Sequence, residues 1–196
     1  MKLIVTIAYI LFYAHFSVCM NDRELFLITQ DRLFTAIKQG ADREVDKIVQ
    51  LYPTIINERR VGSRDGYTPL SCAAMYDRVD ICQRLLQLNA NPNLGDYSEN
   101  FTPLHKTHDT RIVEMLLKAG ADPNAKTKGW IDLLCWSAMT CSITKVKLLL
   151  QYGARVDLSV LENFAKGSIG LEREIEKLLR EAYDQQLRSR FNYQSI

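Results

Sequence analysis

The stretch DGYTPLSCAAMYDRVDICQRLLQLNANPN (residues 65–93) is followed by ENFTPLHKTHDTRIVEMLLKAGADPN (residues 99–124) and GWIDLLCWSAMTCSITKVKLLLQYGARVD (residues 129–157). The three align with one another, and a more divergent copy, DRLFTAIKQGADREVDKIVQLYPTIIN, precedes them at residues 31–57. Self-similarity at a fixed period of about 30 residues predicts a stack of supersecondary units. One unit cannot bury its apolar face alone, so its neighbours supply the core.

The parts of each unit can be read locally. Thr68 and Thr102 are placed to cap a helix, and Pro69 and Pro103 follow at the first helical position, where a missing N–H costs nothing. Leu70, Ala73 and Ala74 fall on one face of a short first helix whose small residues permit close packing. Ile81, Leu85 and Leu86 give the apolar stripe of a second, antiparallel helix. Gly120 and Gly153 follow the last periodic leucines and read as helix stops that need positive φ. Asp/Asn-rich stretches such as residues 91–96 read as turns. The unit is therefore helix, turn, helix and projecting loop.

Thr-Pro-Leu-His at residues 102–105 and Leu-Leu-Lys-Ala-Gly-Ala-Asp-Pro-Asn at residues 116–124 resemble the ankyrin-repeat signature. The resemblance runs from residue 31 to the C-terminal region. It implies an all-α solenoid of antiparallel helix pairs with repeats at about 31–61, 62–95, 96–126 and 127–157. Residues 158–187 read as a cap within a domain spanning 21–190, with a flexible tail at 188–196. In the cap, Leu161, Phe164 and Ala165 mark a first helix and Leu171, Ile175, Leu178, Leu179 and Ala182 a second. Its charged face, including Glu176 and Arg180 at i, i+4, suits the solvent-facing end of a stack. Coiled-coil pairing of that helix would need a longer stripe.

Two copies depart from the pattern. From Leu104 to Leu116 the third copy is three residues shorter than the second from Leu70 to Leu85, and the gap falls at the turn between its helices. A shortened first helix and a notch are expected there, with Thr107 and His108 standing where the second copy has Ala73 and Ala74. In the fourth copy Asp132 and Leu133 replace Thr-Pro, and Asp132 is expected to cap the helix in threonine's place.

Candidate chemistry is sparse. By resemblance, His105 is the histidine that braces the turn. A metal site with His108 and Asp109 would need the two histidines on one helical face and a further ligand. Cys72 and Cys82 read as small buried hydrophobes, or as a disulfide if the chain is exported. No Gly-rich phosphate loop, Gly-x-Ser-x-Gly or His-Glu-x-x-His occurs, so no enzyme activity, metal or cofactor is expected. Asn100-Phe101-Thr102 is a glycosylation sequon, relevant only in a eukaryotic secretory pathway. Net charge is +2, from 25 Lys+Arg against 23 Asp+Glu. That balance provides no drive toward nucleic acid.

The resemblance implies binding of another protein through a concave face made of loop tips and first helices. The corresponding positions are Arg64, Asp65, Tyr67, Met75 and Tyr76 in the second copy. In the third they are Ser98, Glu99, Phe101, Asp109 and Thr110, and in the fourth Lys128, Gly129, Ile131, Met139 and Thr140. Tyr67, Met75, Tyr76, Phe101 and Met139 are the expected apolar anchors. The alternative for Phe101 and Ile131 is packing of one loop on the next. A monomer is expected.

Residues 1–20 differ from all that follows. Met1-Lys2 leads into an apolar run with no acidic residue, lysine or arginine until Asp22. This resembles a secretory signal peptide cut after Cys19. An uncleaved signal anchor in the membrane, or an apolar helix packed on the domain, are the other readings.

Overall fold

Thr68 and Pro69 open the most regular unit for the physical reasons that place them there. Thr68 Oγ1 accepts the Ser71 backbone N–H at 3.2 Å, satisfying one of the donors that a first helical turn leaves open. Pro69 brings no N–H to satisfy. The computed structural model describes residues 22–129, 131–140, 142–167 and 173–192. They form α1 (Asp22–Gln39), α2 (Asp42–Leu51), α3 (Pro69–Met75), α4 (Val79–Gln87) and α5 (Pro103–Lys106). These are followed by α6 (Thr110–Lys118), α7 (Leu133–Met139), α8 (Ile143–Gln151), α9 (Leu158–Gly167) and α10 (Arg173–Asn192). A 3-10 turn at Pro53–Asn57 follows α2, and the described residues contain no strand.

The odd-numbered helices stack as an inner row and the even-numbered ones as an outer row, each also packing on its partner in the pair. This is the all-α solenoid that the repeats predict. Leu70, Ala73 and Ala74 on the inner row and Ile81, Leu85, Ile112, Leu116, Val146 and Leu149 on the outer row are buried between the rows. Helix stops follow the glycine argument: Gly120 and Gly153 both have φ +86°. The second copy uses Asn89 at the same position, at φ +65°, since asparagine tolerates this region better than most side chains.

The Asp/Asn-rich turns do more than reverse the chain. Asn57 Oδ1 accepts the N–H of Asn91 at 2.8 Å, Asn93 Oδ1 that of Asp122 at 2.7 Å, and Asn124 Oδ1 that of Arg155 at 2.8 Å. Asn93 Nδ2 also donates to Gly120 O at 2.9 Å, and Asn124 Nδ2 to Gly153 O at 3.4 Å. Each copy thus clamps the next. The series ends on α10, where Gln186 Oε1 accepts the Val156 N–H at 3.0 Å and Nε2 donates to Ala154 O at 2.9 Å.

The ends differ from the sequence reading. Helix α1 begins at Asp22, ahead of residue 31, and Gln30 uses the added length to hold the first loop. Its Nε2 donates to Arg59 O at 3.0 Å, and its Oε1 accepts the Val61 N–H at 2.7 Å. Helix α10 continues to Asn192, so residues 188–192 are helical where a flexible tail was expected. In the cap Ile175 and Leu179 are buried. Residues 1–20, Leu171, Cys141 and the side chains of Phe164 and Ala165 lie outside the described residues.

Candidate partner-binding face

The third copy's shortening is concentrated in one helix. Helix α5 has four residues, whereas α3 and α7 have seven each. The chain leaves helical geometry at Thr107, which occupies the register of Ala73 and is buried. A threonine there supplies bonds that alanine could not. Thr107 Oγ1 accepts the Asp109 N–H at 3.1 Å and donates to Asp77 Oδ1 of the second copy at 3.3 Å. Asp109 caps α6 by accepting the Arg111 N–H at 2.8 Å, and Arg111 holds both its oxygens, at 3.1 and 2.6 Å. Those contacts with Arg111 keep the Asp109 carboxyl below the ordinary carboxylate range.

Sequence reasoning missed the side chain that fills the remaining space. Lys145 is the third residue of α8, the register of Ile81 and Ile112, and is 1% exposed. Its Nζ crosses to the third copy and donates to Thr107 O at 2.9 Å, a carbonyl that α5 no longer uses. Burial lowers its pKa from 10.5 to about 8. The visible signal was a lysine at a position that is isoleucine in the two preceding copies.

His105 braces its turn. The Thr102 backbone N–H donates to its Nδ1 at 3.2 Å and Thr102 Oγ1 lies 2.9 Å away. Nδ1 is therefore an acceptor and the neutral ring carries its proton on Nε2. Burial first, then the charges of Lys145 and Lys106, lower its pKa to about 4. His108 is exposed beyond the end of α5, so the two histidines share no helical face. Among the described residues no group of three His, Cys, Asp or Glu side chains is arranged to hold a metal.

The expected contact residues divide into two sets. Met75, Tyr76 at 40% exposure and Met139 at 49% stand out from the ends of α3 and α7. They flank the shortened α5. Lys38 Nζ lies 5.6 Å from the centre of the Tyr76 ring. Thr140, Thr110, Arg64, Asp65, Glu99, Lys128 and Gly129 are also exposed. Tyr67 is a correction: it is 9% exposed, packs edge-on against Phe34 with ring centres 5.5 Å apart, and receives a bond from Arg60 at 3.2 Å. It joins the first two copies rather than facing a partner.

Phe101 is half-buried between His105 at 5.5 Å and Trp136 at 5.1 Å, with Lys106 Nζ 4.6 Å from its ring centre. Ile131 is likewise packed against the core. Both follow the loop-packing alternative. Ser98 donates to buried Asp96 at 3.0 Å, which also binds Lys106 at 2.8 Å. Burial opposes the charge of Asp96, yet Lys106, Ser98 and the Phe101 N–H hold its carboxyl below the ordinary range. Asp132 begins α7 without a side-chain cap bond; its carboxylate pairs with Lys126 at 3.0 Å instead.

Tyr97 is an exposed aromatic side chain the sequence reading omitted. It is 56% exposed, with the Arg59 guanidinium 4.9 Å from its ring centre. A Cβ added at Gly66, which has φ +57°, would lie 1.9 Å from the ring, so this glycine is required both by conformation and by space. An aromatic beside Ser98 in a projecting loop was the available signal. Cys72, Cys82 and Cys135 are free and buried. Burial raises the Cys72 and Cys82 thiols to about 12, which makes them inert packing groups.

A family model for ankyrin repeats, in three copies, matches residues 33–127. The chain belongs to the ankyrin-repeat family. Over 148 residues it is 30% identical to a putative ankyrin repeat protein of Rickettsia bellii, covering 70% of this chain and 38% of that protein. Over 107 residues it is 35% identical to the human transient receptor potential cation channel subfamily A member 1, covering 52% of this chain and 9% of the channel. Human 2-5A-dependent ribonuclease is 33% identical over 94 residues, covering 46% and 13%. The chain thus spans between 9% and 38% of the length of these relatives. The fourth copy lies beyond the matched residues, yet α7 and α8 continue both rows of the ankyrin stack. Ankyrin repeats form protein–protein interaction modules.

Proposed function

We propose that this ankyrin protein is a non-catalytic, exported module that holds a partner protein against the inner-row ends and loop tips of its second to fourth copies. One observation carries the reading: Met75, Tyr76 and Met139 are large apolar side chains left exposed on the inner row on both sides of the shortened third copy. Buried apolar or aromatic anchors dominate protein interfaces, and here they sit on rigid helices. The neutral, braced His105 and the raised thiols support the non-catalytic part. The test is recovery of partner proteins by the wild type and by Met75→Ala/Tyr76→Ala/Met139→Ala at matched stability. Loss of the recovered partner is expected, and equal recovery overturns the assignment.

Export is proposed from the uncharged apolar run of residues 3–21 behind Lys2. The same run favours a second reading, a membrane-anchored scaffold, because its length approaches the roughly 20 residues that cross a bilayer. Among the described residues no helix is long and apolar enough to cross a membrane. The intact mass of the mature chain separates the two: cleavage near Cys19 supports export, and a retained segment in the membrane fraction supports the anchor.

A further inference from the structure

Among the described residues Lys145 is buried without a counter-charge, in the seam between the third and fourth copies. An ammonium group has three donors, and among the described residues Nζ makes one bond, to Thr107 O at 2.9 Å. The groups facing it from each neighbouring element do not neutralise it. From α5 comes His105, whose neutral ring directs a donor N–H, not an acceptor, from the buried Nε2; that atom has no partner. Also on α5, Lys106 is committed to Asp96 at 2.8 Å.

The remaining charged side chains around the seam are occupied as well. Before and within α6, Asp109 pairs with Arg111 at 2.6 Å and Glu114 with Lys118 at 2.7 Å. On α7 the titratable side chains are the buried thiol of Cys135 and, at its start, Asp132, which pairs with Lys126. On α10, Glu174 pairs with Lys147 at 3.0 Å and Glu176 with Arg180 at 2.8 Å. Among the described residues no carboxylate pairs with Lys145.

We propose that Lys145 makes the seam between the third and fourth copies a proton-controlled joint, whose opening is favoured by protonation of the amine and opposed by its loss. Stack neighbours contact only one another, so one interface can separate while the rest of a solenoid holds. This seam is the place for it, because α5 offers α7 only four residues of helix and the replacement contact is a charge in an apolar stripe. Opening would return the amine to water, where it binds a proton more tightly. The opened form therefore takes up a proton between the buried pKa of about 8 and the ordinary 10.5. Raising the pH through that window favours closure. Because Met75 and Tyr76 lie on one side of the seam and Met139 on the other, opening would also alter the spacing of the proposed anchors.

The chain carries its own reporters. Cys135 is buried on the fourth-copy side, and Cys72 and Cys82 are buried in the second copy. The full-length protein is alkylated with iodoacetamide at pH 8 to 10, and modification of each cysteine is resolved by mass spectrometry. The ratio of Cys135 to Cys72 labelling cancels the intrinsic pH dependence of thiols. In the wild type this ratio is expected to fall about tenfold per pH unit, the slope for one linked proton. Lys145→Met and Lys145→Ile, two variants with different packing demands, should each flatten it. A flat ratio in the wild type overturns the proposal, as does an undiminished slope in both variants.

Discussion

Ile81 in the second copy and Lys145 in the fourth occupy the same register, the third residue of the outer helix, and each is 1% exposed. Ile81 packs behind a full-length α3 with a small-residue face. Lys145 reaches past its own α7 to the preceding copy, where α5 stops three residues sooner, and its longer side chain meets the buried end of that truncated helix. The comparison teaches that a deletion in one copy can be absorbed by a polar substitution in the next. The substitution succeeds through geometry, since among the described residues the amine meets one carbonyl and no carboxylate.

The strongest way to break the comparison is Ile81→Lys. No truncated helix precedes the second copy to receive the amine, so the variant should lose about 3–5 kcal/mol, the range for an uncompensated buried charge. Chemical denaturation at pH 7 measures it. A loss under about 1 kcal/mol would mean that any stripe position accepts lysine and that the shortened α5 is irrelevant.

A second experiment turns on pH at His105, the ring beside the same joint. Its pKa is lowered from 6.5 to about 4 in the folded protein, so the unfolded chain binds more protons between those values. Stability should be fully present above pH 6.5 and fall as pH drops toward 4, by up to about 3 kcal/mol. Denaturation from pH 7 to 4 checks the sign. His105→Gln should remove this component of the slope, whereas a slope unaffected by the substitution would show that other groups carry it.

The smallest effect compares the starts of α3 and α7. Thr68→Ala removes a cap bond and should cost about 1 kcal/mol. Asp132→Ala removes only a surface pair with Lys126 and should cost under about 0.5 kcal/mol. Equal losses in thermal denaturation would show that Asp132 caps α7 after all.

What could be read from sequence was whatever depends on near neighbours. Thr68 with Pro69, the Ala73/Ala74 face, and Gly120 and Gly153 at positive φ follow from local backbone rules, and periodicity did the rest. Readings failed where the answer lay one copy away. Tyr67 looked like a loop-tip anchor because nothing in its own copy says that Phe34 of the preceding one meets its ring. Asp132 looked like a cap until Lys126 drew its carboxylate aside. Lys145 was visibly out of place in its stripe, but only the position of Thr107 O shows where the amine goes. The notch was legible as a deletion, and its contents were not.

The asparagine clamps have a further consequence for copy number. Asn57, Asn93 and Asn124 all reach toward the C-terminal side, so each loop is held by the asparagine of the copy before it. Gln186 comes from the opposite direction, returning from α10 to the Val156 N–H and Ala154 O, one residue beyond the Arg155 N–H and Gly153 O that Asn124 holds. Duplicating an internal copy would extend the array with a matching asparagine contact at each end, while inserting one after residue 157 would separate Gln186 from Val156 and Ala154. The array is open to growth from within and closed at its edge by a cap whose contacts follow a different pattern.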